Sequence, residues 1–233
     1  MPRARTTKPY NQTAAIPQDT GSGCFSGFML VPLTVIFISA ILGSFALKAN
    51  PLPQTSIPAM DTMPDSIPSN LSPIFTREVL HWADSIVRWA SASNLDPNLV
   101  ATIMQIESCG DPRATSSAGA MGLFQVMPFH FAATDDPYNP ETNAARGLNY
   151  LVRSLTAANG DARLAMAGYN GGISVIYRYE GNWHAQTKRY VQYGAPIYSD
   201  AISGVNPSNA LNEWYMKYGA SLCRQASQRL GLP

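Results

Sequence analysis

Glu107 is a carboxylate placed where helices usually carry none. After Asp96-Pro97, the residues Leu99, Ile103 and Ile106 recur at helical spacing, and Glu107 falls four positions beyond Ile103, beside that apolar face. Ser108 and Gly110 then stop the helix, so the spacing puts a carboxyl group at the end of a buried helix, on the edge of whatever cleft lies there. Partial burial disfavours the ionised form and lifts the pKa above the roughly 4.3 of a free glutamate, which is what a general acid working near neutrality requires. The Gly/Ala-rich stretch from Ala118 to Gly122 would let backbone and ligand approach closely. Asp111, the nearest other acid, directly precedes Pro112 in a loop and reads first as a turn former, ahead of any supporting catalytic role. His81, His130 and His184 show no ligand spacing, so neither a metal site nor a cofactor is expected.

The elements that must position Glu107 are helices. Ser72-Pro73 reads as an N-cap with proline at the first helical position, opening a helix to about Ser93 with Val79, Ala83, Ile86 and Ala90 on one face. Asp96-Pro97 opens the Glu107 helix. Asn139-Pro140 opens a long one in which Ala144, Leu148, Leu151 and Leu155 share a face, ending near Asn159-Gly160. Asp161 to Gly168 reads as a short helix, Tyr169 to Gly172 as a turn, and Ile173 to Tyr179 and Trp183 to Tyr193 as further short helices. From Pro207 to Leu230, a last stripe contains Leu211, Trp214, Tyr218, Leu222, Ala226 and Leu230. No run of alternating strands and no internal repeat stands out, so the fold class is mainly α.

Several segments together carry a resemblance. Glu107-Ser108, Pro112-Arg113-Ala114-Thr115-Ser116, Gly119 through Pro128 (Gly-Ala-Met-Gly-Leu-Phe-Gln-Val-Met-Pro) and Ala167-Gly168-Tyr169-Asn170-Gly171-Gly172 resemble the soluble lytic transglycosylase (SLT) domain family, part of the goose-type-lysozyme-like group. Asn139-Pro140-Glu141 and Thr187-Lys188-Arg189-Tyr190-Val191 fit the same pattern, so the similarity runs from about Ile74 to Val191. The resemblance implies a lysozyme-like helical domain that cleaves the β-1,4 bond between N-acetylmuramic acid and N-acetylglucosamine of peptidoglycan strands. It implies Glu107 as the single acid and base, with the muramic sugar's own 6-hydroxyl replacing water and a 1,6-anhydro end as product. It also implies binding roles for Ser116, Gln125 and Asn170, an apolar wall at Met127, a donor role for Tyr169 toward Glu107 or substrate, and a cleft-facing Tyr190. Each polar residue has a blander alternative, a cap or a buried structural hydrogen bond. The chain departs from the family at Gln186, where relatives often carry Glu, and at Gly168 and Gly171, where alanine is commoner. A hydrolytic lysozyme and an inactive peptidoglycan-binding module remain open as other functions.

Before this domain the composition changes twice. A polar arm over residues 1 to 23 carries Arg3, Arg5 and Lys8, and residues 24 to 47 form an uncharged apolar run long enough to span a bilayer, which needs roughly 20 apolar residues in helix. The basic arm favours a cytoplasmic amino end, with a single-pass span in the bacterial cytoplasmic membrane and everything after Lys48 outside. The competing reading is a secretory signal cleaved after Ala46. Residues 48 to 72, with Pro51, Pro53, Pro58, Pro64 and Pro68, read as an extended linker, followed by the catalytic domain over 73 to 194 and a helical extension over 195 to 233 packed on it. Sixteen Lys and Arg oppose fifteen Asp and Glu without a dense basic run, which argues against nucleic acid. Export permits Cys109 and Cys223 to pair, pinning the last helix to the loop after Glu107; two unpaired buried thiols are the alternative.

Overall fold

The computed structural model describes residues 70–233, and there the chain is mainly helical. The helices are α1 (Arg77–Leu80), α2 (Ala83–Ser93), α3 (Pro97–Glu107), α4 (Pro140–Ala157), α5 (Ala162–Gly171), α6 (Ala185–Ser203), α7 (Asn209–Trp214) and α8 (Ala220–Leu230). Extended pairing among the described residues is limited to isolated antiparallel bridges, Thr115 with Met121 and Met121 with Val126. The arm and the apolar run over 24 to 47 lie outside the described residues, as does the linker up to residue 69. Among the described residues no helix is long and apolar enough to cross a membrane.

Among the helices of the described residues, the one that ends in Glu107 is the most deeply buried. Every residue of α3 from Leu99 through Gln105 is buried, as befits a helix apolar on most sides, and it packs against α1, α2 and α6. Its start is fixed by Asp96, whose carboxylate accepts from Asn98 N at 2.8 Å and from the Tyr198 hydroxyl at 2.9 Å, tying the cap to α6. Asn139 caps α4 through Thr142 N at 3.1 Å, and Asp161 caps α5 through Leu164 N at 3.0 Å. Helix α5 lies between α4 and α6, and α6 packs against α3.

Several boundaries differ from those the spacing suggests. The first helix does not begin at Ser72: Ser72 N is held by Asn98 Oδ1 at 2.7 Å and Thr76 N by Gln105 Oε1 at 3.1 Å, so side chains of α3 take these amides and the helix opens only at Arg77. It also breaks at His81-Trp82, where the Trp82 indole reaches Gly110 O at 2.9 Å. Val79, Ala83, Ile86 and Ala90 are nevertheless all buried, and Leu71 and Ser72 join the packed body rather than the linker. Tyr169 to Gly171 form the last turn of α5 and not a loop; the chain turns only at Gly172, whose φ of 89° suits glycine. Helix α6 continues past Tyr193 to Ser203 and so crosses the expected boundary at 194. Pro196 sits on its exposed side, while Tyr193, Gly194, Ile197 and Ala201 bury the opposite side and hold the helix through the missing hydrogen bond.

The terminal stripe is interrupted by a π-helical turn over Tyr215–Gly219. One extra residue in that turn rotates everything after it, so the burial after Leu211 and Trp214 passes to Gly219, Cys223 and Ala226, while Tyr218 and Leu222 are only half-buried. Gly219 permits this, because a Cβ there would lie 2.4 Å from the Trp214 ring.

Candidate active site

Glu107 ends α3 with 5% of its surface exposed, and burial pushes its carboxyl from 4.5 up to about 8. The Tyr190 hydroxyl from α6 acts in the opposite, smaller sense by steadying the anion. The buried Tyr190 hydroxyl makes no well-formed hydrogen bond of its own. Burial, and then the nearness of Glu107, raise the Tyr190 and Tyr169 phenols well above 10, so both stay protonated.

The loop after Glu107 is held from three sides. Ser108 donates to Leu123 O at 2.7 Å and accepts from Gly110 N at 3.1 Å. Cys109, at a φ of 51°, is disulfide-bonded to Cys223 of α8, and residue 110 is held to glycine both by its φ of 81° and because a Cβ would lie 2.6 Å from Glu78 O. Asp111 is fully buried; it accepts from Arg113 N at 2.9 Å and Gln225 Nε2 at 2.8 Å, with Arg229 Nε at 3.5 Å. It makes the expected turn and also anchors α8.

The glycine-rich segment folds back over Glu107 as a small double turn. Met121 and Val126 exchange backbone hydrogen bonds at 3.0 and 2.9 Å, and Gly122 N bonds Ala114 O at 2.9 Å. Asn143 of α4, almost fully buried, clamps the turn: its Oδ1 accepts from Phe124 N at 2.8 Å and its Nδ2 donates to Met121 O at 2.8 Å and Pro137 O at 2.9 Å. Gly122 must be glycine, since its φ is 74° and a Cβ would sit 2.3 Å from Asn143 Nδ2. Gln125, at a φ of 46°, donates through Nε2 to Ala114 O at 3.2 Å and Gly122 O at 2.9 Å. Two carbonyl partners identify that end as the nitrogen, which leaves Oε1 buried and without a partner.

Two hollows meet at Glu107 and Asn170. The first is lined by Gln125, Val126, Met127, His130, Gly147, Tyr150 and Tyr169 in addition to those two. The second is lined by Ile106, Gln186, Arg189, Tyr190, Tyr193, Trp214, Tyr218 and Leu222. Among the described residues, Glu107 is the only carboxylate lining either of them. His130 in the first hollow has its pKa lowered by burial and then by Arg153, so it favours the neutral form.

The fold thus brings together Glu107, Gln125, Met127, Tyr169, Asn170 and Tyr190. Ser116 lines neither hollow, and its hydroxyl accepts from Ala120 N at 2.9 Å, closing a turn. Tyr169 does not donate to Glu107: its hydroxyl gives its hydrogen to Phe124 O at 2.7 Å, because the phenol reaches across α4 to the turn. Asn170 Oδ1 accepts from Thr187 Oγ1 at 3.1 Å, and Gly171 makes room, since a Cβ there would lie 2.7 Å from that same oxygen. Gln186 stands in the second hollow, so the missing charge of the family pattern falls on the site itself. Asn143, His130, Tyr150, Trp214 and Tyr218 were not singled out from the sequence as site residues. Gly147 was also missed, although a glycine inside a strong helical pattern is a signal of close approach, and a Cβ at this one would lie 2.6 Å from Phe124 Cβ and 3.2 Å from the Tyr169 hydroxyl.

The chain is similar to known proteins over this region. Residues 84–192 match the family model described as the transglycosylase SLT domain. The chain is 39% identical over 113 residues to a transglycosylase of Enterobacteria phage PRD1, covering 48% of this chain and 40% of that protein. It is 28% identical over 156 residues to the membrane-bound lytic murein transglycosylase C of Photorhabdus laumondii, covering 57% of this chain and 43% of that protein. Among solved structures, an inactive mutant of the lytic transglycosylase Slt of Pseudomonas aeruginosa aligns with a TM-score of 0.45 and 26% identity, over 53% of this chain and 25% of that one. The chain therefore spans about two fifths of the length of these curated relatives. The segment of the chain that holds Glu107, residues 84–192, is thus of the transglycosylase SLT domain family.

Proposed function

We propose that this protein is a peptidoglycan lytic transglycosylase with Glu107 as its one acid and base. The observation that carries the reading is a single buried carboxyl, pushed by burial up to about 8, at the junction of two hollows that offer no second carboxylate among the described residues. Glycosidases that add water ordinarily use two carboxylates. Here Glu107 gives its proton to the leaving O4 of the β-1,4 bond as the C1–O4 bond breaks. The resulting carboxylate then takes the proton of the same muramic sugar's 6-hydroxyl while the C1–O6 bond forms. Glu107 ends protonated as it began, no water is consumed, and the sugar's N-acetyl group steadies the transient cation. The unpartnered Gln125 Oε1 is an acceptor for a sugar hydroxyl or amide, Met127 forms an apolar wall, and Tyr190 and Asn170 border the reacting carboxyl.

Several relatives are named membrane-bound, which supports an extracytoplasmic domain tethered through residues 24 to 47, with residues 48 to 70 as its spacer. Mass spectrometry of muropeptides released from purified sacculi tests the chemistry. Anhydro ends support the transglycosylase, reducing ends would make the protein a lysozyme, and no release would make it a binding module. Fractionation of cells making the full chain, with carbonate extraction, tests the tether: recovery of the intact chain in the washed membrane is expected, and a soluble product beginning after Ala46 would replace the anchor by a cleaved signal.

A further inference from the structure

Helix α6 borders two separate recesses. Gln186, Arg189, Tyr190 and Tyr193 line the second hollow, whereas Lys188, Gln192, Pro196 and Ser199, about half a turn away, line an open groove of about 770 Å³ that also takes in Arg163 of α5, Glu180 and Gly181. None of these groove residues lines either hollow at Glu107. The volume lies within the roughly 300–1,000 Å³ of small-ligand sites. The groove also carries an acceptor that a regular helix would not offer. Pro196 lies inside α6 and has no N–H, so the carbonyl of Gln192, four residues earlier, lacks its helical partner, and the proline ring crowds it outward. Both residues are exposed and line the groove, so the freed carbonyl opens on it.

The charged groups beside this carbonyl are already engaged. Arg163 and Glu180 form an ion pair, and Lys188 Nζ donates to Gly181 O at 2.6 Å. An anion would have to break these contacts to gain a cation, and it brings no hydrogen to the Gln192 carbonyl. A cation meets two positive side chains against one carboxylate. A hydroxyl disturbs nothing, because it donates to Glu180 or to the carbonyl while accepting from Arg163 or Lys188. The apolar part of the lining, Val191, Ala195 and the Pro196 ring, is too small to receive the large anchor side chain of a protein partner. At the edge, Tyr179 is 79% exposed and rests against Gly181, where a Cβ would come within 2.4 Å of its ring. A neutral chain of N-acetylated sugars matches this surface, with hydroxyl and amide hydrogens along its edges and C–H faces for the tyrosine ring.

We propose that the groove between α5 and α6 is a second glycan-binding site, separate from the cleavage hollows, which holds a neutral N-acetylated sugar strand through the freed Gln192 carbonyl, the Arg163–Glu180 pair and the Tyr179 ring. That the strand is peptidoglycan rests on the activity proposed above; the chemistry of the groove does not. Full-chain Glu107→Gln protein in a zwitterionic detergent is titrated with the tetramer of N-acetylglucosamine and footprinted with hydroxyl radicals, Tyr179 reporting on the groove and Tyr150 on the first hollow. Tyr179 should be protected saturably. Pro196→Ala returns an N–H to the helix, so it should raise the melting temperature and yet raise the tetramer concentration for half-protection of Tyr179 about fivefold, with that for Tyr150 unchanged. Weaker binding by a more stable protein is an outcome that damage to the fold does not produce. Protection of Tyr150 alone, or of neither ring, overturns the second site. So does Tyr179 protection that Pro196→Ala leaves unaltered, or equal protection by a short polyglutamate peptide, which would make the groove an anion site. Tyr179 protection in a protein that yields no anhydro ends keeps the groove and overturns only the cleavage chemistry.

Discussion

At the scale of single residues, Glu107 ties both catalysis and stability to pH, and both fall as pH rises. As a general acid it must be protonated, so release of fragments should fall as pH rises through about 8, and Glu107→Gln should lower it by at least about a hundredfold at every pH. The stability effect follows from the same proton. The native state keeps it up to about pH 8, whereas an unfolded glutamate loses it near 4.5, so between these values the unfolded chain binds fewer protons and the contribution of Glu107 to stability falls as pH rises. Glu107→Gln removes that penalty. Its melting temperature should exceed the wild type's by a margin that widens from pH 5 to pH 8, and a constant margin in calorimetric scans across this range would count against a buried, proton-holding carboxyl.

At the scale of elements, the turn over Glu107 depends on α4 more than on itself. Asn143 satisfies Phe124 N, Met121 O and Pro137 O together, so Asn143→Ala leaves buried backbone groups unpaired and should cost about 2–4 kcal/mol in urea unfolding. Activity should suffer beyond the loss of folded protein, because Gln125 and Met127 ride on that turn. A variant as stable as wild type would show that the clamp does not hold. The sequence carried the Gly-Ala-Met-Gly motif in plain view, but the asparagine that grips it lies on another helix, outside any local pattern. Likewise the end of α5 reads as a turn because Asn-Gly-Gly is turn chemistry. The helix persists through Asn170 because Thr187 on α6 takes its side chain and only Gly171 allows α6 that close.

At the scale of the molecule, one disulfide joins residues 114 positions apart and links the catalytic loop to the last helix. Closing a loop of that size in the unfolded chain corresponds to roughly 4–5 kcal/mol in the chain-entropy picture. A Cys109→Ala, Cys223→Ala double variant should therefore melt well below wild type while retaining helical circular dichroism. Nonreducing peptide mapping that found both thiols free would remove the bridge from the account. Burial of Cys109 and Cys223 in the core implies slow reduction unless the protein first opens, so wild type should resist mild reductant at room temperature and lose the bond on heating.

What the sequence determined by itself was local: capped helix starts at Asp96, Asn139 and Asp161, the apolar faces of the helices, and a carboxylate at the end of the most apolar one. These follow from propensity, capping and periodicity, which act within a few residues. Tertiary structure decided the rest. It moved the first helix start from Ser72 to Arg77, by giving the intervening amides side-chain partners on α3. It rotated the terminal stripe by a π turn seated on Trp214, and it committed the Tyr169 hydroxyl to Phe124 O instead of Glu107. Above all, it set the acidity of Glu107, because desolvation is a property of everything packed around a carboxyl and cannot be read from the four residues on either side of it.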